Sequence, residues 1–230
     1  TAMGGVRGKS HHSSLAVYDA SMTKNFQHRF MRHRDTIDMG ILFPTADAMP
    51  NSSLAHYLAL AVRHFGTANS HYMLQEDGID FASLFAELER AEATGEPYAL
   101  LGASFSFVHL MDEMRRVGKS VDLPAGSRIL DTGGFKGHSR ELGLDDFYIQ
   151  LSACFGVPRT LCINMYGMTE LSTQFYDWGN ETCPSVKSGP HWIRSRVINP
   201  LTGQDVPPGE TGVLVHCDLA HFNIVSTILT

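Results

Sequence analysis

Apolar residues recur at steps of three and four from Ser13 to about Arg32, with Leu15, Tyr18, Met22, Phe26 and Phe30 on one side. That period predicts an amphipathic helix capped by Ser13 or Ser14. Ile37 to Phe43 reads as a strand closed by Pro44. Asn51 caps a second predicted helix, with Leu54, Tyr57, Leu58, Ala61, Val62 and Phe65 on its apolar face and Gly66 at its end. A short strand at His71–Leu74 precedes a helix from Asp80 carrying Phe81, Leu84, Phe85 and Leu88. The strand Tyr98–Leu101 leads to a helix marked by Phe107, Leu110, Met111 and Met114. A strand at Arg128–Asp131, a helix at about Asp145–Phe155 and a strand at Thr160–Met165 complete the series.

Strands that alternate with helices predict an α/β fold, a largely parallel sheet flanked by helices. After about Cys183 the texture changes to prolines and the short β-like runs Trp192–Ile198 and Gly212–His216. The expected organisation is an α/β core over 1–183 and a small β-rich C-terminal extension over 184–230. Ligands of such sheets bind beyond the carboxyl ends of the strands. Four places qualify: the loop at Pro44, Gly102-Ala103-Ser104, Asp131-Thr132-Gly133-Gly134, and Tyr166-Gly167-Met168-Thr169-Glu170.

The 230 residues carry 18 Lys and Arg against 24 Asp and Glu, a net charge of −6 that gives no reason to expect nucleic acid as partner. No apolar run approaches the ~20 residues of a membrane span, and the start is not a signal peptide. Cys154, Cys162, Cys183 and Cys217 lack C-x-x-C spacing, so a cytoplasmic protein with reduced thiols is expected. Cys154 and Cys162 read as small buried hydrophobes. None of the twelve His forms an H-E-x-x-H pair. Gly8-Lys9-Ser10 has the ending of a Walker loop, but Met3 stands where that loop needs Gly. Gly4, Gly5 and Gly8 with Arg7, Lys9 and Ser10 read either as a looser cationic phosphate loop or as an unstructured terminus.

The richest chemistry follows the apolar strand Leu161–Met165. Gly167 permits a sharp turn, Thr169 offers a hydroxyl to a phosphate oxygen, and Glu170 offers a hard carboxylate to Mg²⁺. Tyr166 presents a flat face for a base. By residue type alone the same stretch also reads as a strand-to-loop turn with a solvated Glu.

Tyr166-Gly167-Met168-Thr169-Glu170 resembles the Y-G-x-T-E signature of the adenylate-forming enzymes. Ile129–Gly137 resembles their strand and Gly-Gly turn, and Gly209–Val215 their G-E-x-G-x-L-x-V run. Gly102–Asp112, with these motifs, resembles the acyl-protein synthetase branch, the long-chain-fatty-acid–luciferin-component ligases. The resemblance implies ATP-dependent activation of a fatty acid as acyl-adenylate, then transfer through a protein thiol. It implies ATP and Mg²⁺ as cofactors, and an acyl-accepting or acyl-reducing protein as partner. It assigns nucleotide contacts to Gly133, Gly134, Phe135, Lys136, Tyr166, Gly167, Met168 and Thr169. Thr169 and Glu170 become catalytic and Glu170 a metal ligand, while Ser104, Phe105 and His109 border the acyl pocket. Lys136 also reads as a solvated surface residue, and Phe107 as part of a helix core stripe. Two alternatives are a carboxylate–CoA ligase of the phenylacetate type and a non-catalytic nucleotide-binding relic. The chain reads as an excerpt that starts at a phosphate loop and stops near a ribose-binding Asp. On that expectation these residues alone adenylate poorly.

Overall fold

The computed structural model describes residues 10–229 other than 136, 138 and 223. The Gly-rich start up to Lys9, and Lys136, lie outside the described residues. Helix α1 (Ala16–Phe26) continues into a π-helical turn, Gln27–Met31. The predicted single helix is therefore shorter and changes gauge; the wider turn lets Phe30 and Met31, neighbours in sequence, both be fully buried. Its N-cap is Leu15, without a side-chain cap, while Ser14 Oγ accepts from Ala16 N at 3.2 Å.

Strand β1 (Asp38–Leu42) leads to α2 (Ser53–Phe65), capped by Ser52 accepting from Ala55 N rather than by Asn51. The strand expected at 71–74 divides into β2 (His71–Tyr72) and β3 (Leu74–Gln75), which pairs with β4 (Gly78–Ile79) as a hairpin. Then follow α3 (Phe81–Thr94), β5 (Tyr98–Ala103), α4 (Ser104–Val117), β6 (Arg128–Thr132), α5 (Leu144–Phe155), β7 (Cys162–Tyr166) and β8 (Phe175–Tyr176). The last three strands are β9 (Ile193–Ile198), β10 (Val213–Asp218) and β11 (Thr227–Leu229).

The main sheet runs β2-β1-β5-β6-β7-β8, parallel except for β8. β5 and β6 are buried along their whole length because helices cover both faces. One core, around Leu100, Phe107, Met111, Ile129 and Phe155, lies on the α3–α4–α5 face. The other, around Phe26, Phe30, Ile41, Tyr57 and Leu130, lies on the α1–α2 face. The C-terminal strands make an antiparallel sheet, β11-β10-β9. The fold is thus α/β, a largely parallel sheet between helices with a small β-rich C-terminal sheet. Buried Asp218 ties this sheet to the core by accepting from Ser172 N at 3.0 Å and Thr173 Oγ1 at 2.7 Å. Among the described residues, no helix is long and apolar enough to cross a membrane.

Candidate active site

Parallel register brings the four strand ends together. Leu42 lies opposite Gly102, Ala103 opposite Thr132, and Thr132 opposite Met165. The segments leaving β1, β5, β6 and β7 therefore emerge side by side. Two glycines make this possible. A Cβ at Gly102 would stand 2.8 Å from Leu42 Cβ, and Gly133 turns the chain at φ +80°, which L side chains rarely adopt. Thr132 Oγ1 donates to the Met165 carbonyl at 2.8 Å, fastening the two central strand ends to each other.

Between these ends lies a cleft of about 320 Å³ bordered by Phe43, Ala103, Phe105, Gly133, Gly134, Gly167, Met168 and Thr169. Tyr18 of α1 and Leu54 and Tyr57 of α2 form its opposite wall. The Tyr57 hydroxyl meets that of Tyr176 at 2.8 Å, and burial pushes both phenols up, so they are neutral hydrogen-bonding groups. The cleft adjoins an apolar groove of about 680 Å³ bordered by Met49, Leu74, Ile79, Phe81 and His109. Phe43 and Phe105 line both.

Behind the Gly-Gly turn lies a third, polar cavity of about 230 Å³, bordered by Ser104, Asp131, Phe135, Asn164, Asn180 and Lys187 among others. Asp131, 1 % exposed, accepts from Ser104 Oγ at 2.7 Å, Tyr148 OH at 2.9 Å and Asn164 Nδ2 at 2.9 Å. Burial pushes its carboxyl up from the usual aspartate range, and these donors oppose that shift. Asn164 commits its Nδ2 to Asp131, so Oδ1 is the group it can present to a ligand. Buried Asp177 accepts from Lys187 Nζ at 2.5 Å, Ser185 Oγ at 2.7 Å and the Asn164 amide at 3.0 Å.

The sequence-derived residues divide among these spaces. Gly133, Gly134, Gly167, Met168 and Thr169 share the central cleft. Phe135 lies on the far side of the turn, edge-on to Phe147 at 5.6 Å. Tyr166 is half-buried, its hydroxyl 3.5 Å from Met168 Sδ and its ring against Phe175 and His216. Glu170, also half-buried, follows Thr169. Phe105 and His109 face the apolar groove, whereas Ser104 turns the other way, to Asp131 and the polar cavity. Sequence reasoning missed Asn164, Asp177 and Lys187, and the wall of Tyr18, Leu54 and Tyr57. The signal for Asn164 is a polar residue inside an otherwise apolar strand. Tyr18, Leu54 and Tyr57 read only as helix core.

The acyl-protein synthetase family, LuxE, matches residues 14–229 of the chain. A long-chain-fatty-acid–luciferin-component ligase of Vibrio harveyi is 26 % identical over 149 residues, 64 % of this chain and 38 % of that protein. The chain thus spans well under half the length of the curated relatives it matches. ATP-bound MatB of Rhodopseudomonas palustris superposes with a TM-score of 0.59 at 17 % identity, over 90 % of this chain and 36 % of the other. The long-chain-fatty-acid–CoA ligase FadD1 of Archaeoglobus fulgidus gives 0.61 at 15 % identity, over 90 % and 39 % respectively. At such identity the likeness to the solved structures is one of fold. The family match runs almost the length of the chain, and the protein belongs to the acyl-protein synthetase family, LuxE.

Proposed function

We propose that this chain carries the nucleotide and acyl sites of an enzyme that joins a fatty acid to AMP and delivers the acyl group to a protein thiol. The observation that carries the reading is the shared wall at Phe43 and Phe105. A cleft with polar and glycine-rich edges opens beside a long apolar groove, so a phosphate chemistry and a hydrocarbon chain meet at one point. The nucleotide lies between the Gly133–Gly134 turn and Gly167–Thr169. The fatty acid carboxylate stands at Phe105, with its chain along Leu74, Ile79, Phe81 and His109.

In the reaction a carboxylate oxygen attacks the α-phosphorus of ATP and pyrophosphate leaves. Two anions must approach, so donors fixed at the cleft edge have the largest effect. Thr169, exposed at that edge, offers its hydroxyl to a phosphate oxygen. Tyr18, Leu54 and Tyr57 cover the opposite side and exclude water from the mixed anhydride. Glu170 suits Mg²⁺, because that ion is held through one or two carboxylates and substrate phosphates rather than a protein cage. Among the described residues no three His, Cys, Asp or Glu converge to hold a metal. When bound, the ion supplies charge neutralisation at the phosphates.

The accepting thiol is a separate group from buried Cys162 and half-buried Cys154 and Cys183. Burial pushes the Cys162 thiol up to about 12 and raises Cys154 and Cys183 as well, away from the nucleophilic thiolate. The proposed setting is the cytoplasm, where ATP is supplied. Calorimetry with ATP and with fatty-acyl sulfamoyl adenosines of several chain lengths tests the reading. Binding of both supports it; folded protein that binds neither contradicts it.

A further inference from the structure

At the opposite end of the sheet, where the parallel strands begin, two arginines, Arg29 and Arg32, sit against one exposed tryptophan, and Arg34 and Arg128 lie next to Arg32. Trp178, 52 % exposed, follows β8. The Arg29 guanidinium sits over its ring at 4.6 Å and that of Arg32 at 5.6 Å, while His28 meets it edge-on at 5.8 Å. Arg32 also donates to the Trp178 carbonyl at 3.3 Å. Arg128, at the start of β6, donates to the carbonyls of Phe30 and Met31. Burial and the nearby charges of Arg34 and Arg32 push the Arg128 guanidinium down to about 10.

Two independent features mark this as a built surface. Arg32 adopts φ 58° and ψ −107°, which non-glycine residues rarely do. Gln27 holds it there: its carbonyl accepts from Arg32 N at 2.7 Å, and its side chain donates to the carbonyls of Arg32 and Arg34 at 3.1 Å each. The π-helical turn, Gln27–Met31, ends in this clamp. Second, among the described residues no carboxylate forms an ion pair with Arg29, Arg32, Arg34 or Arg128. Neighbouring Asp35 is exposed and forms none. Four like charges gathered on a chain of net charge −6 lack a local counter-charge.

We propose that Trp178, with Arg32 and His28 against it and Arg34 beyond them near Arg128, docks a carboxylate-rich segment of a partner protein. Arg29 and Arg128 are themselves committed to carbonyl and hydroxyl acceptors and are buried, so they supply field; Arg32 and Arg34 are half-buried and supply contacts. An exposed indole braced by guanidinium groups has the composition of an interface hot spot. The patch is confined to the end of the π-helical turn, Trp178 and the start of β6, and its guanidinium groups lack carboxylate partners, so a short acidic segment matches it in size and charge. The patch lies about five strand residues, ~16 Å, from the nucleotide cleft. A docked partner therefore leaves the cleft open.

Fluorescence anisotropy of the full chain with a fluorescein-labelled peptide, Glu-Asp-Leu-Glu-Asp-Phe-Glu-Glu, tests the proposal. Binding should weaken about tenfold or more in both Trp178→Ala and Arg34→Glu, and stay within about threefold in Arg34→Lys. It should also weaken as salt rises. Thermal melts accompany each variant, and Arg34→Gln replaces Arg34→Glu should the latter unfold. Absence of peptide binding, or binding unchanged by Trp178→Ala and by the charge-removing variant at Arg34, overturns the proposal. So does equal or tighter binding of an oligo-dT strand or phosphatidylserine vesicles at this surface, which would assign the patch to a different class of ligand.

Discussion

Asp131 braces the strand end beside the central cleft, and its replacement gives a graded, pH-dependent outcome. Its side chain receives Ser104, Tyr148 and Asn164 and precedes the Gly133–Gly134 turn by two residues. In Asp131→Asn the amide oxygen can keep the position facing Ser104 and Asn164. Its NH₂ then faces the Tyr148 hydroxyl, which turns to accept. The loss is confined to weaker, uncharged bonds, about 1–2 kcal/mol. In Asp131→Ala three buried donors lose their acceptor, offset in part by removal of a buried charge, for about 2–4 kcal/mol. Because burial raises the native carboxyl's pKa, its contribution is fully present below the unfolded aspartate value and is lost as pH rises through the folded one. Asp131→Asn has no such dependence. The stability gap between wild type and Asp131→Asn is therefore widest near about pH 4 and narrows at higher pH. Urea unfolding followed by fluorescence at several pH values measures it. A gap that widens with pH, or an Asp131→Ala cost under about 1 kcal/mol, would refute the reasoning.

Three further outcomes are expected. Lys187→Met should destabilise the protein by about 3 kcal/mol, because it leaves buried Asp177 unpaired, and Asp177→Asn combined with it should recover part of the loss in the same unfolding assay. Glu170→Gln should weaken nucleotide binding in the presence of Mg²⁺ by about tenfold and have little effect without it, read by calorimetry; equal affinities would remove Glu170 as metal ligand. Phe105→Ala should open the wall between cleft and groove and relax discrimination among fatty acids of different length, measured by pyrophosphate release, whereas an unchanged preference would detach the groove from the acid.

The central strands were legible at Tyr98–Leu101 and Arg128–Asp131, where short segments with apolar centres stand between helical spacings, and β5 and β6 extend them to Ala103 and Thr132. β8 and β11, of two and three residues, are too short for any period to register. The π-helical turn hid inside a helical spacing, since Met22, Phe26 and Phe30 keep their four-residue steps across it. At the site, the Gly-Gly and Tyr-Gly segments were visible as strand-end motifs. Their neighbours were not: Tyr18 and Tyr57 join the cleft only through the packing of α1 and α2 over the sheet. Ser104 and Phe105 are adjacent in sequence, yet the helix start sends one to Asp131 and the other to the groove. Sequence alone contains no register for that choice.

A crystal structure of the protein with a fatty-acyl sulfamoyl adenosine, a stable mimic of the acyl-adenylate, tests the central claim most directly. The account predicts adenosine between the Gly133–Gly134 turn and Gly167–Thr169, and the acyl chain passing Phe105 into the groove of Leu74, Ile79 and Phe81. Adenosine bound elsewhere, or a chain that leaves the groove empty, would contradict it.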